Sequence, residues 1–326
     1  MKKIFLSSFS VIFTYLFCST TSLCQATAAA SELNNAAAVT AAAESKTSED
    51  SNEIKPKKSI TNTEPVLQEE KASDYDLGLK KHSLEFGPEM YSFTYKESGV
   101  KTEGIFYGGA LNYTFRGWVP NSPDEPLLPT RIPLRAEFRY AAGEADYDGQ
   151  LSDGTPYKVN DIEYNTCETR LLIGIDVLDK SWLASLYTGV GYRYSADDTS
   201  FDPYGYLRES NYLYIPIAYQ IDGNFVHNWS WGCNLEVDIL AWGEQKSYLS
   251  DIGTGLPDIE NRQRTGCGLR GAFRLQNKTK AGVLTIEPFI RYWNINQSDF
   301  EYVSPYQYWE PKNNTTEYGL QLLWRL

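Results

Sequence analysis

The sequence predicts an all-β chain: a transmembrane, antiparallel, up-and-down β-barrel of ten strands, with eight or twelve as the alternatives, behind a disordered N-terminal tail. Three observations carry this. From about residue 82 the apolar residues recur with period two, and no 3.6-residue stripe follows. The connections between the predicted strands alternate between long and short. Trp and Tyr gather at the predicted strand ends.

The N-terminus reads as a secretory signal peptide over residues 1–28. Lys2 and Lys3 precede an apolar run over 4–18, and Ala26-Thr27-Ala28 offers a small-residue cleavage site. Cys18 and Cys24 follow the large Phe17 and Leu23, which argues against lipidation. Residues 29–80 form an acidic, Ala/Ser-rich linker with one aromatic, Tyr75. Such a segment cannot bury enough apolar area to offset its ordering entropy, so disorder is expected. An interaction tail is the rival. Residues 81–326 are assigned to the barrel.

Strands are expected at 82–96, 102–118, 131–142, 162–177, 182–195, 212–221, 228–242, 265–276, 282–295 and 315–326. In the third, Leu134, Ala136, Phe138 and Tyr140 share a face opposite Arg135, Glu137 and Arg139. In the fifth, Trp182, Leu186, Val190 and Tyr192 oppose Ser185, Gly189 and Arg193. In the seventh, Trp229, Cys233, Leu235 and Ile239 oppose Asn234, Glu236 and Asp238. In the eighth, Leu269, Phe273 and Leu275 oppose Arg270 and Arg274, and in the ninth Leu284, Ile286, Ile290 and Tyr292 oppose Glu287 and Arg291. In the last, Tyr318, Leu320, Leu322, Trp324 and Leu326 fall on one face. A hydrophobic edge of that length invites aggregation, so this strand is expected to pair with the first and close the ring.

Long connections are expected at 143–161, 196–211, 243–264 and 296–314, and short ones at 178–181, 222–227 and 277–281. The four-proline segment 119–130 is intermediate. Long loops on one rim and short turns on the other mark outer-membrane barrels of Gram-negative bacteria. An even strand count puts both termini on the short-turn, periplasmic side. Aromatic belts agree with that address: Trp118, Trp182, Trp229 and Trp324 at one rim; Tyr140, Tyr194, Tyr212, Trp242, Tyr292 and Tyr318 towards the other. The expected surroundings are the lipid bilayer and lipopolysaccharide. Glu317, Gly319, Leu322 and Trp324 resemble the C-terminal signal read by the barrel-assembly machinery, although the chain ends on Leu326 and not on Phe.

The stretches GVGYRY, RESNYLYIPIAY, TIEPFIRYWNI and EPKNNTTEYGL resemble a group of uncharacterised bacterial outer-membrane β-barrel proteins, over most of 82–326. The resemblance implies the porin-like barrel and its address. It implies no activity.

The net charge of -12 speaks against nucleic acid, whose phosphates need a basic stripe. Three of the five cysteines, Cys167, Cys233 and Cys267, lie beyond the signal peptide. An odd count forbids a fully paired framework, and a Cys233–Cys267 bridge has no spacing rule behind it. No Cys-x-x-Cys pair suggests a metal, and no cofactor is expected. Ten-stranded barrels include the omptin proteases, which use a His base. The two His, His82 and His227, fall at the short-turn ends without an Asp-x-His pair. The acidic pairs Asp146/Asp148 and Asp197/Asp198 lack calcium-loop spacing, leaving divalent cations or glycans as candidate partners of the outer loops.

The inward face is the candidate site. It is expected to carry Arg116, Arg135, Arg139, Arg170, Arg193, Arg270, Arg274 and Arg291 against Glu137, Glu168, Asp176, Glu236, Asp238, Glu287 and Glu317. The signs nearly balance, whereas a selective pore favours one sign at its constriction. Glu236–Arg270 and Glu287–Arg274 are the cross-strand pairs expected. The functional expectation is a non-enzymatic barrel with a charge-filled narrow lumen and acidic, Tyr-rich outer loops. A narrow channel for small solutes is the alternative, and an omptin-like hydrolase the third.

Overall fold

A computed structural model describes residues 80–118, 130–151, 154–178, 182–226, 228–253 and 255–326. The signal peptide and, apart from Lys80, the linker lie outside the described residues.

Thirteen strands are described, ten of which build one ring. They are β1 (His82–Glu97), β2 (Val100–Trp118), β3 (Thr130–Gln150), β4 (Pro156–Leu178), β5 (Trp182–Asp198), β6 (Leu207–Val226), β7 (Trp229–Ser247), β8 (Ile259–Gln263), β9 (Gly266–Lys278), β10 (Val283–Ile295), β11 (Glu301–Val303), β12 (Tyr306–Tyr308) and β13 (Asn313–Arg325). β1 to β7 pair in succession, β7 pairs with β9, β9 with β10, β10 with β13, and β13 with β1, all antiparallel. The edge that a terminal strand would expose is therefore absent. β8 extends the outer part of β7, and β11–β12 is a hairpin outside the ring.

Period two sets the two faces. Leu134, Leu171, Ile173, Leu186, Ile217, Leu320 and Leu322 stay exposed on the outside, while Arg139, Glu168, Arg193, Glu236 and Glu317 are buried inside. One irregularity matters. Leu213 opposes Trp242 and Tyr214 opposes Leu240, so Ala241 is an extra residue in β7. Leu240 keeps the inward phase of Glu236 and Asp238, and the bulge shifts the phase after it so that Trp242 falls on the outer face opposite Leu213.

Three of the expected long loops prove to be ladder over about half of their length or more. Residues 143–150 and 156–162 continue the β3–β4 pairing, leaving 151–155 as the connection. The β5–β6 pairing runs to Asp198 and Leu207, and β7 pairs with β8 over 243–247. At the other rim, β6 runs to Val226 through part of the expected 222–227 turn. Beyond a bilayer the outer face need not be apolar, so the alternation fades while backbone pairing persists. Tyr212 is a second correction. It was expected in the outer belt, but is buried in the lumen, opposite inward-facing Arg193.

The wall is uneven. β3 and β4 have 21 and 23 residues, whereas β9, β10 and β13 have 13 each. β1 and β2 are joined at the tall side by a tight turn whose Gly99 has φ 77°, the left-handed region that glycine adopts without strain.

Candidate functional site

Alternation along β1 lays out the lumen from one end to the other. Its inward positions read Ser83, Glu85, Glu89, Tyr91, Phe93 and Tyr95, polar at the short-turn rim and aromatic towards the other. The neighbouring strands repeat that sequence, giving three layers.

A cavity of 130 Å³ extends from the layer near the short turns, at Ser83, Gln220 and Gln276, up to charges of the middle layer such as Arg139 and Glu168. Arg116 Nε donates to Asp176 at 3.0 Å, and Ser185 Oγ donates to the other Asp176 oxygen at 2.6 Å. Arg274 Nη2 donates to Glu85 at 2.6 Å. Its Nε lies 2.9 Å from Glu287 but off the N–H axis, so this contact is an ion pair and not a hydrogen bond.

The middle layer is a continuous network of charge. Glu317 receives Arg139 Nη2 at 2.7 Å, Arg193 Nη2 at 2.9 Å and Arg291 Nη1 at 3.2 Å. Arg139 also donates to Glu89 at 2.5 Å. Arg270 donates to Asp238 at 2.6 Å and Glu168 at 2.5 Å, and lies 3.1 Å from Glu236. Tyr214 Oη donates to the same Glu168 at 2.6 Å. Arg170 joins Glu137 to Glu236. Arg135 donates to Tyr187 Oη at 2.9 Å and Gln220 at 3.1 Å, with Glu137 at 3.6 Å. Burying such charges is costly unless each finds partners of this quality.

Aromatic rings close the outer half. Phe93 and Phe106 stack with centroids 4.8 Å apart, Tyr91 meets Phe106 edge-on, and Tyr164 leans on both Phe rings. Tyr212, Tyr214, Leu240, Trp293 and Ile295 form a second cluster. The Arg139 guanidinium sits 4.7 Å over the Tyr91 ring, tying charge layer to aromatic layer by a cation–π contact. At the outer mouth Tyr95 Oη donates to Glu310 at 3.0 Å, and Arg208 lies 3.1 Å from Asp197 and 3.8 Å from Glu310. Glu310 belongs to the β12–β13 connection. Burial, with Glu97 nearby, pushes its carboxyl up to about 8.

The structure thus gathers Arg135, Glu137, Arg139, Glu168, Arg170, Glu236, Asp238, Arg270, Arg274, Glu287 and Arg291 in one lumen. Glu236 and Arg270 are direct neighbours across the β7–β9 ladder. Sequence reasoning missed Glu85, Glu89, Asp222 and Arg325, and all of the aromatic layer. The signal for Glu85 and Glu89 was their two-residue phase with Ser83 and Tyr91.

The residues resembling an assembly signal divide between the two faces. Leu322 is exposed and Trp324 partly so, whereas Glu317 is the hub of the charge layer. Gly319 has a packing reason of its own: a Cβ there would lie 2.2 Å from the Met90 carbonyl oxygen and 2.5 Å from Tyr91 Cβ. His82 is exposed and its Nδ1 pairs with Tyr113 Oη at 2.8 Å; His227 lies outside the described residues. Cys233 carries a free thiol, as does Cys167, so the Cys233–Cys267 bridge does not form. Asp148 pairs with Lys158 at 2.5 Å and Asp197 with Arg208, and no metal-holding cluster of His, Cys, Asp or Glu occurs among the described residues.

No family model and no curated protein matches the chain. The solved structures it resembles are outer-membrane β-barrel proteins. The outer membrane protease OmpT from Escherichia coli matches at 9% identity and TM-score 0.48, over 75% of this chain and 96% of that one. Neisserial surface protein A matches at 9% and 0.31, over 75% and 97%. The attachment invasion locus protein Ail of Yersinia pestis matches at 9% and 0.29, over 76% and 100%. Likeness this distant does not reach to chemistry; the barrel stands on its own strand ladder.

Proposed function

We propose that the chain is a non-enzymatic outer-membrane β-barrel whose lumen is a structural filling and whose contacts with the outside are made by its acidic, Tyr-rich outer loops. The observation that carries this is the stacking of the charge network beneath the aromatic layer. Side chains from different walls meet across the charge layer, Arg139 of β3 with Glu317 of β13 and Arg270 of β9 with Glu168 of β4, and small barrels have interiors that side chains can fill. The exposed outer residues support a membrane. Leu171, Ile173, Ile175, Ile215 and Ile217 would be a liability in water, but they suit the apolar band of a barrel in lipid. In this reading lipopolysaccharide and phospholipid surround the wall, both termini are periplasmic, and β13 presents Leu322 and Trp324 to the barrel-assembly machinery. Divalent cations or glycans remain the loop partners proposed.

The 130 Å³ cavity favours the channel alternative; its lining runs from the short-turn rim into the charge layer, to Arg139, Glu168, Arg270 and Arg291, and includes none of Tyr91, Phe93, Phe106 and Tyr164 of the aromatic layer. Planar-bilayer recording of the refolded full chain separates the two. Little or no steady conductance is expected. A large, steady conductance would establish the channel instead.

A further inference from the structure

We propose that the short-turn end of the lumen is a binding site for a small zwitterion of the α-amino acid type, its carboxylate on Arg325 and its ammonium group on Asp222. Eight arginines and six carboxylates line the 130 Å³ cavity. Seven of those arginines and five of those carboxylates have an oppositely charged partner within 4.0 Å. The exceptions are one of each sign, Arg325 and Asp222. Among the described residues, the Arg325 side chain makes one hydrogen bond, from Nη2 to Gln276 Oε1 at 3.0 Å. Asp222, 9% exposed, accepts from two neutral amides and from no cation: Gln220 Nε2 at 2.6 Å and Gln276 Nε2 at 3.4 Å.

One glutamine therefore holds the two unpaired charges apart, and the cations and anions that could serve them are already taken. Gly232 stands between Asp222 and Arg274 in the ladder, and a Cβ there would lie 2.4 Å from Asp222 Oδ1. Across that bare position Arg274 is within the reach of Asp222, but Glu85 at 2.6 Å and Glu287 at 2.9 Å engage it. Glu85 is opposite Arg325 across the β1–β13 seam, yet it accepts from Arg274 and from Thr285. A charge shut away from water without a counter-ion is costly. Around the rest of the cavity pairing avoids that cost, so two unpaired charges of opposite sign on one cavity mark a place left for a ligand. A simple anion would satisfy Arg325 and crowd Asp222, and a simple cation would do the reverse. A molecule that carries both charges a short distance apart satisfies both, through charge-assisted hydrogen bonds, and leaves the lumen's balance of signs unchanged. A water needs about 10–15 Å³ of such space, so the cavity has room for roughly ten, enough for a small amino acid. Its lining reaches the strand ends at Arg116 and Arg325, so a ligand would enter from the short-turn side, and the aromatic layer above remains the filling already described.

The test is isothermal titration calorimetry on the full chain refolded in detergent micelles. Glycine and L-serine are the zwitterions, and acetate and methylammonium are the two halves of glycine. Saturable binding of a zwitterion is expected, at least tenfold tighter than that of either half. Asp222→Asn and Arg325→Gln should each weaken it tenfold or more. Gln276→Glu offers Arg325 a carboxylate from within the wall and should abolish binding, in a barrel whose closure is checked by its mobility on an unheated gel. Absence of saturable heat from both zwitterions would overturn the proposal. Acetate binding as tightly as glycine would overturn it in favour of a plain anion site. A zwitterion affinity unchanged in Asp222→Asn and in Gln276→Glu would overturn it by putting the ligand elsewhere. The measurement needs no bilayer, so its result is independent of the conductance recording that tests the barrel's function.

Discussion

Arg139 and Glu317 stand 178 residues apart in the chain and meet at 2.7 Å in the middle of the lumen. Arg193 and Arg291 converge on the same carboxylate. Glu317→Gln leaves three guanidinium groups short of an anion. Breaking a buried pair from one side costs about 3–5 kcal/mol. Denaturant unfolding of the refolded barrel measures this; a midpoint unchanged from wild type would remove Glu317 from its central place.

Arg270 does the same work for Glu168, Glu236 and Asp238. Replacing Arg270 and Arg274 together by Ala removes the side chains that span the axis and strands their carboxylate partners. Intermittent leak currents and a lower unfolding temperature are expected. A variant as silent and as stable as the wild type would mean that the aromatic layer alone seals the lumen.

Trp324→Asp separates recognition from burial energy. Near a bilayer interface a charge on the lipid face costs about 1 kcal/mol or less. Strongly reduced insertion in cells would then reflect lost recognition of β13 by the assembly machinery. Normal surface levels of the variant would show that this residue carries no such signal.

Sidedness follows from the projecting hairpins. In a cysteine-free background, Gln150→Cys and Asp258→Cys should react with a membrane-impermeant reagent on intact cells, and Lys280→Cys should not. The reverse pattern would invert the barrel in its membrane.

Glu310 gives a pH dependence of definite sign. Its carboxyl is held up to about 8, against an ordinary 4.5. The folded state therefore keeps a proton that the unfolded chain has released. Stability from the neutral group is fully present below about 4.5, and is lost as pH rises through the window to about 8. Limited proteolysis of the 296–312 connection should accelerate over that window in the wild type, and stay flat in Glu310→Gln. Identical profiles would show that the group does not govern the connection.

Much of this architecture was legible because one face of each ring strand must suit a bilayer and the other a lumen. Arg139 beside Phe138, or Glu236 beside Val237, leaves no doubt about phase. Legibility ended where both faces carry rings. Tyr91, Phe93 and Tyr95 point inward, yet read alone they resemble an outward apolar stripe, so the aromatic layer stayed hidden and Glu85 and Glu89 went unphased with it. Tyr212 was misplaced for the same reason. Strand ends blurred at Ala141-Ala142-Gly143, where pairing continues without a pattern of side chains.

The closing pair of strands has a consequence for the order of assembly. β1 brings Glu89 and β13 brings Glu317, so two carboxylates of the charge network come from the first and last strands of the ring. A nascent chain that has made β3, β5 and β10 already holds Arg139, Arg193 and Arg291, with Glu89 of β1 able to pair with the first and last, while Glu317, the carboxylate shared by all three, arrives only with the final strand. Sealing the seam and completing the charge network are then a single event: a chain halted before residue 317 keeps an open edge and an unbalanced interior together.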